Sequence, residues 1–263
     1  MSIRGVLIDL SGTIHIDKKV IPGAIEAIQR LKASNIPFRF ATNTTKVSSK
    51  KLVQKLTGLG FDVEEKDVFT SLSACRDMIE SKQLRPMLLM EDEAMEEFKG
   101  LDTDKPNAVV IGLAPSKFNY EKLNQAFRLI ISDPINVALI AVHKAKYFAD
   151  KDEKLSMGPG GFVQALEFAT GATANVVGKP TVEFFQLALK QLEMESSPQH
   201  VAIIGDDVCN DLGGGAKELG LHRFLVQTGK YRKDDSNASE GINVFKSVVE
   251  AIDHIIEQYE KRQ

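Results

Sequence analysis

"VLIDLSGTIH", residues 6–15, is the stretch on which the reading of this chain turns. Val6, Leu7 and Ile8 form an unbroken apolar run, the pattern of a strand buried on both faces of a parallel sheet. The run stops on a carboxylate, Asp9. Two positions later, where a second acid would be chemically useful, the chain carries Ser11.

The same grammar repeats outward from this point. "PGAIEAIQRLKAS" spaces Ile25, Ile28 and Leu31 as a helix does, and "PFRFATN" is a second strand stopping at Asn43. "SSKKLVQKLTGLG" predicts a helix capped by Ser48 or Ser49 and stopped at Gly58 or Gly60. "PMLLM", "NAVVIG" and "NVALIAV" predict strands, with helices around 91–98 and 119–131. "KYFADKDEKLSM" predicts a β-hairpin turning at "DKDEK". "GGFVQALEFATG" reads as a helix, "ANVVGKP" as a short strand ended by Gly178, and "PTVEFFQLALKQLEM" as a helix with Pro180 near its first turn. "HVAIIGDD", a glycine-rich helix start, "RFLVQTG" and a helix from about Lys246 complete the chain. This alternation predicts an α/β fold with a Rossmann-like, mostly parallel core sheet. Residues 77–173 form a self-contained set of elements and are expected to be an inserted α/β domain, with 1–76 and 174–263 as the core.

With 263 residues, 43% of them hydrophobic, the chain can bury one large core or two moderate ones. The net charge of −3 and the absence of a block of one sign argue against a nucleic-acid surface. No apolar stretch approaches the ~20 residues of a membrane helix. Cys75 and Cys209 form no CxxC pair and no secretory leader precedes them, so reduced thiols in the cytoplasm are expected. The triplets at Asn43 and Asn237 match the glycosylation pattern, which is meaningful only in secreted chains.

Ligands in open α/β sheets sit at the carboxyl ends of strands. Four endings stand out: Asp9; Thr42 with Asn43; Lys179; and Asp206 with Asp207. Carboxylates are the hard ligands that Mg²⁺ prefers, and an ammonium and a hydroxyl beside them suit a phosphoryl group. Each residue also has a plainer reading. Asp211 is placed to cap the helix that follows it, Lys179 to be a surface lysine, and Thr42-Asn43 to be a turn.

Order and spacing decide between these readings. "DLSGTI", "FATNTT", "VGKP" and "IGDDVCND" resemble, in sequence, the four motifs of the haloacid dehalogenase-like (HAD-like) hydrolase superfamily, whose members mostly hydrolyse phosphate esters through a phospho-aspartate. The insertion resembles the family's type 2 cap. The resemblance implies that Asp9 is the nucleophile and a Mg²⁺ ligand, that Ser11 gives the metal its backbone carbonyl, and that Asp206 and Asp211 complete the metal site. It implies that Thr42, Asn43 and Lys179 bind the phosphoryl group. Asp207 is left with a supporting role. The cap loop it places near residues 141–161 offers His143, Lys144, Lys146 and Tyr147 to the leaving group, although exposed lysines by a hairpin also read as a solvated face. Gly158, Pro159, Gly160 and Gly161 read as a tight turn or as a close approach to a ligand. A small phosphate or phospho-amino-acid substrate is expected, and a homodimer is left open.

In most phosphatases of this superfamily the position of Ser11 is an aspartate that protonates the leaving group and later activates water. A serine hydroxyl is too weakly acidic for that, and the loss is typically worth ~10²- to 10⁴-fold. Substrates with good leaving groups (pyrophosphate, phosphoramidates, aryl phosphates) suffer least. His15 could relay a proton, but a partly exposed loop histidine is the plainer expectation. The rival reading is a binding module that holds Mg²⁺ and phosphate without turnover. A Ser11 nucleophile lacks the G-x-S-x-G setting, and neither G-x-G-x-x-G after the first strand nor a G-x-x-x-x-G-K-[ST] loop is present.

Overall fold

The computed structural model describes residues 3–149, 155–232 and 241–261. The expected turn at 150–154 and the triplet at Asn237 lie outside the described residues. The first strand, β1 (Gly5–Ile8), leads into a small hairpin, β2 (His15–Ile16) and β3 (Lys19–Val20). There follow α1 (Ala24–Ala33), β4 (Phe38–Thr42), α2 (Ser49–Gly58), β5 (Val68–Thr70), α3 (Ser71–Ser81), β6 (Pro86–Leu89), β7 (Ala108–Ile111), α4 (Tyr120–Ser132) and β8 (Ala138–Ala141). The second half runs β9 (Tyr147–Ala149), β10 (Leu155–Met157), α5 (Gly160–Thr170), β11 (Asn175–Val176), α6 (Val182–Gln191), β12 (Val201–Gly205), α7 (Gly214–Glu218), β13 (His222–Val226), β14 (Ile242–Phe245) and α8 (Val248–Glu260).

Six strands form the principal sheet in the order β14-β13-β12-β1-β4-β5. β1 runs parallel to β12 (Val6 opposite Ala202) and to β4 (Val6 opposite Phe38). The chain therefore leaves β1 toward β4 on one side and later returns to β12 on the other. Such a reversal opens a crevice at the carboxyl ends of the strands. The fold is the expected α/β class with a parallel, Rossmann-like core.

The chain divides into two compact units. The first comprises Met1–Thr42, Leu52–Phe69 and Lys179–Gln263, the second Asn43–Lys51 and Thr70–Gly178. These divisions differ from the boundaries expected at 76/77 and 173/174, because Asn43–Lys51 and all of α3 group with the second unit, and so does β11, which pairs with β8. In the first unit every residue of β1 is buried, as an all-apolar central strand requires. Phe40, Phe69, Phe184, Phe185 and Phe224 fill its core, with Phe184 at 5.0 Å from Phe69 and edge-on to Phe185. Of the residues read at helical spacing in α1, Ile28 and Leu31 are buried, together with Ala24 and Ala27, while Ile25 is half-buried.

The second unit carries a four-stranded parallel sheet, β11-β8-β7-β6. Val109, Ile111 and Leu139 from its strands pack with Ala126 and Ile130 of α4 and Val163 and Leu166 of α5. The expected hairpin is present as antiparallel β9 and β10. No helix among the described residues is long and apolar enough to cross a membrane.

Some local expectations need correction. The helix expected at 91–98 is a single 3-10 turn, Met95–Phe98. Pro180 is near the first turn of α6 as read, directly before the cap: Thr181 is the cap, and its hydroxyl accepts from the Phe184 amide. His15 is not a partly exposed loop residue. It lies on β2 and is 3% exposed.

Thr181→Ala removes the acceptor that satisfies an orphan amide of α6. It should cost about 1 kcal/mol in urea unfolding, and Thr181→Ser should recover most of the loss. An unchanged midpoint in the alanine variant would refute this role for the cap.

Candidate active site

Asp9 lies one residue beyond β1, with its amide held by the Ile204 carbonyl at 2.8 Å, so the sheet itself aims the side chain. Lys179, 2% exposed, reaches it from the segment before α6. Its Nζ donates to Asp9 Oδ1 at 2.6 Å, to Asp211 Oδ1 at 2.6 Å and to the Ala41 carbonyl at 2.8 Å. These acceptors match the three N–H bonds of an ammonium. Thr42, buried at the end of β4, follows Ala41 directly. Thr13 donates a long bond of 3.4 Å to Asp9 Oδ2.

Asp206 follows β12 and is 2% exposed. Carboxylate oxygens of Asp9, Asp206 and Asp211 lie within 4.8 Å of one another. Space for this cluster depends on glycine. A Cβ on Gly12, whose φ is +97°, would collide with Asp206 Oδ2, and one on Gly205 would collide with Asp211.

Asp211 does not cap α7; Gly213 takes that place without a side-chain bond. Its carboxylate instead accepts from Lys179 and, at 3.2 Å, from the Asp207 amide. The capping reading fails because a buried ammonium competes for the same oxygens, and a charge-assisted bond is the stronger. Asp207 shapes the loop. It accepts from the amides of Cys209 and Asn210, from the Asn210 side chain and from Lys230 Nζ. Burial alone would raise the Asp207 pKa, but the Asn210 and Lys230 contacts hold it below the usual carboxylate range.

The charge of the cluster is its main chemical property. Three carboxylates against one ammonium leave −3 + 1 = −2 if all are ionised. Like charges ~4 Å apart repel by roughly 4 kcal/mol at an effective dielectric near 20. Burial, then repulsion from Asp211 and Asp9, pushes Asp206 up to about 8. Burial and Asp9 push Asp211 up to about 6 despite Lys179. Burial would lower Lys179, but the two carboxylates outweigh it and raise its pKa. A hard divalent cation fits this donor set, because it supplies the positive charge that Lys179 alone cannot.

Asp9 and Asp206 from the ends of β1 and β12, Asp211 from the loop after β12 and Lys179 from the segment before α6 thus meet, with Thr42 next to Ala41; the strand that Lys179 was expected to end, β11, pairs instead in the sheet of the second unit. Ser11 is exposed and pairs with His15 through an isolated bridge. Asn43, His143, Lys144 and Lys146 belong to the second unit. There, His143 is buried, with Nε2 at 3.2 Å from Thr45 Oγ1 and Nδ1 accepting from the Ala145 amide. Lys144 is bound to Glu167 at 2.7 Å, while Lys146 is exposed. Sequence reading passed over Thr13, Thr228 and Lys230, whose roles depend on loops brought together by the sheet.

Residues 6–104 match the family "Haloacid dehalogenase-like hydrolase", and residues 176–251 match a HAD-hydrolase-like family. The chain is 48% identical over 261 residues to human haloacid dehalogenase-like hydrolase domain-containing protein 2, covering 97% of each chain. It is 36% identical to human phospholysine phosphohistidine inorganic pyrophosphate phosphatase, over 98% of this chain and 96% of that one. Its fold is similar to that of 4-nitrophenylphosphatase from Thermotoga maritima, with a TM-score of 0.85 at 25% identity and coverage of 96% and 97%.

The raised carboxylates make a pH prediction. Between the ordinary value of 3.8 and their raised values, Asp206 and Asp211 hold protons in the folded chain that they release in the unfolded one. Their contribution to stability is full below that value and is lost as pH rises through about 6 and about 8. A cation that replaces those protons should therefore raise Tm by more at about pH 8 than at about pH 5, with Mg²⁺ as the probe in a thermal-shift series. A Mg²⁺-induced shift that is flat or falls with pH would contradict the buried cluster.

Proposed function

The chain belongs to the haloacid dehalogenase-like hydrolase family, and from that premise we propose that it is a Mg²⁺-dependent phosphatase in which Asp9 attacks phosphorus. The observation that carries this reading is the Lys179 ammonium held at 2.6 Å from both Asp9 and Asp211, next to Asp206. Bound Mg²⁺, held by Asp9, Asp206, Asp211 and the Ser11 carbonyl, would supply the charge that lets an anionic nucleophile approach an anionic phosphoryl group.

The remaining steps belong to the chain. Lys179 fixes Asp9 through Oδ1, while Oδ2, only weakly held by Thr13, has a lone pair to offer. Attack forms the Asp9 O–P bond as the bond to the leaving group breaks, and the leaving group takes the electron pair. Lys179 exchanges one of its acceptors for a phosphoryl oxygen, with Thr42 beside it, and stabilises the charge that moves onto those oxygens. Water then attacks the phosphorus as the Asp9 O–P bond breaks; that bond's electron pair returns to the Asp9 carboxylate, and the protons of the water leave on the released phosphate. The second unit is read as the type 2 cap.

Ser11 sets the substrate class. Without an acid at that position, the leaving group must depart without a proton from the enzyme, which favours pyrophosphate and aryl phosphates, which leave as stable oxyanions, and phosphoramidates whose nitrogen already carries its proton. Similarity to a phospholysine phosphohistidine inorganic pyrophosphate phosphatase supports the same choice.

Two measurements test this. With Mg²⁺, p-nitrophenyl phosphate and pyrophosphate should turn over faster than a sugar phosphate, and Asp9→Asn should abolish all three activities. Equal or faster turnover of the alkyl ester would defeat the leaving-group argument. Retained phosphate-analogue binding without any wild-type turnover would replace the enzyme with a binding module. Ser11→Asp, at an exposed position, should raise kcat on the sugar phosphate by ~10²-fold or more while changing the aryl phosphate rate little. No gain on the alkyl ester would show that Ser11 is not what limits it.

A further inference from the structure

The turn after β13, Thr228-Gly229-Lys230, takes no part in the chemistry above, yet it touches two pieces of the candidate metal site at once. The Thr228 hydroxyl donates to the Gly12 carbonyl at 2.5 Å. The Lys230 amide donates to Asp206 Oδ2 at 2.6 Å. Between them, Gly229 adopts φ +56°, and a Cβ there would collide with Asp206 Oδ2 and lie 2.5 Å from the Gly12 Cα. The turn is thus stacked on Gly12 with the Asp206 carboxylate alongside, and a side chain at either glycine would push the carboxylate away.

Gly12 is pinned at both of its peptides. Its N–H donates to the His15 carbonyl at 2.8 Å, and its own carbonyl accepts from Thr228. In the trans peptide between Ser11 and Gly12, the Ser11 carbonyl points opposite the Gly12 N–H. Fixing the N–H on His15 therefore fixes the direction of the Ser11 carbonyl, and the Thr228 bond holds the glycine that carries it. Gly12 has no side chain to restrict its dihedrals, so its conformation rests on such bonds.

We propose that Thr228 is a positioning residue for the divalent-cation site: its hydroxyl locks the Ser11–Gly12 backbone against the turn whose next amide, that of Lys230, orients Asp206. The inference rests on the reading of Asp9, Ser11, Asp206 and Asp211 as metal ligands. It goes beyond that reading by making the register between two loops, 216 residues apart in sequence, a determinant of metal affinity. Groups that orient ligands in this way typically govern 10- to 100-fold in affinity.

The test is Mg²⁺ titration calorimetry on the full chain without substrate, comparing wild type, Thr228→Val, Thr228→Ala and Thr228→Ser. Valine keeps the shape and removes the donor, and its Kd should rise about tenfold or more, whereas serine should stay near wild type. If the valine variant does not fold, alanine against serine makes the same comparison, since the two differ only by the hydroxyl. On p-nitrophenyl phosphate, the valine variant should need more Mg²⁺ for half-maximal rate yet recover most of the wild-type kcat at saturation, which a general structural lesion would not allow. Wild-type Mg²⁺ affinity in the variants lacking the hydroxyl overturns the positioning role while leaving the metal site intact. Absence of Mg²⁺ binding by the wild type overturns the metal site and this inference together.

Discussion

One buried ammonium organises the first unit. Lys179 spends its N–H bonds on two carboxylates and one backbone carbonyl, contributed by the ends of β1 and β4 and by the loop after β12. Removing such charges from water costs several kcal/mol per ion even after relaxation, so an apolar group of the same size would serve stability as well or better. The arrangement is explained by what it holds in place. Asp9 and Asp211 cannot approach each other in a site of low dielectric unless a cation lies between them, and Lys179 is that cation. Asp206, which Lys179 does not contact through any bond described above, is the carboxylate pushed up the furthest, to about 8. The imbalance is directional: the cluster is one divalent charge short.

The sheet makes this possible at little conformational cost. β1 is central and wholly buried, so its direction is fixed by neighbours on both sides, and Asp9 inherits that direction through its bond to Ile204. β12 delivers Asp206 beside it, in the parallel register that sets Ile8 against Ile204. Rigid strands aim the acids, and glycines at 12, 205 and 229 give them room. Either requirement alone would leave a cluster too loose or too crowded to bind a small cation.

Asp9, Lys179 and Asp206 were legible in the sequence because each terminates an apolar run, and a run of strand length has a defined end. Asp211 was legible only as one of two things. Position favoured a helix cap, and only the three-dimensional approach of Lys179, 32 residues away, decides for the ion pair. β5 and α3 escaped notice because Val68–Thr70 runs straight into the helix, with Thr70 serving both as strand end and as cap of Ser73, so no turn residue marks the junction. β14 escaped because none of its residues is buried and it carries no apolar run. His15 was misjudged for the opposite reason: a two-residue strand is too short to show alternation, although its first residue is buried. The contact of Thr228 with Gly12 has no local signature at all, since it joins the two ends of the sequence across the sheet.

The substitution at position 11 can be understood in the same terms. Every bond that holds the Ser11–Gly12 segment described above runs through its backbone, to His15 and to Thr228, while the Ser11 side chain itself is exposed. Shape at this point is therefore specified independently of the side chain, and an acid there can be exchanged for a hydroxyl without disturbing Asp9, the ammonium or the acidic cluster. Acid–base assistance and electrostatic positioning are separable in this architecture. On the proposed reading, a chain with Ser11 in place of the acid keeps the second without the first, and its chemistry would narrow toward leaving groups that need no proton from the enzyme.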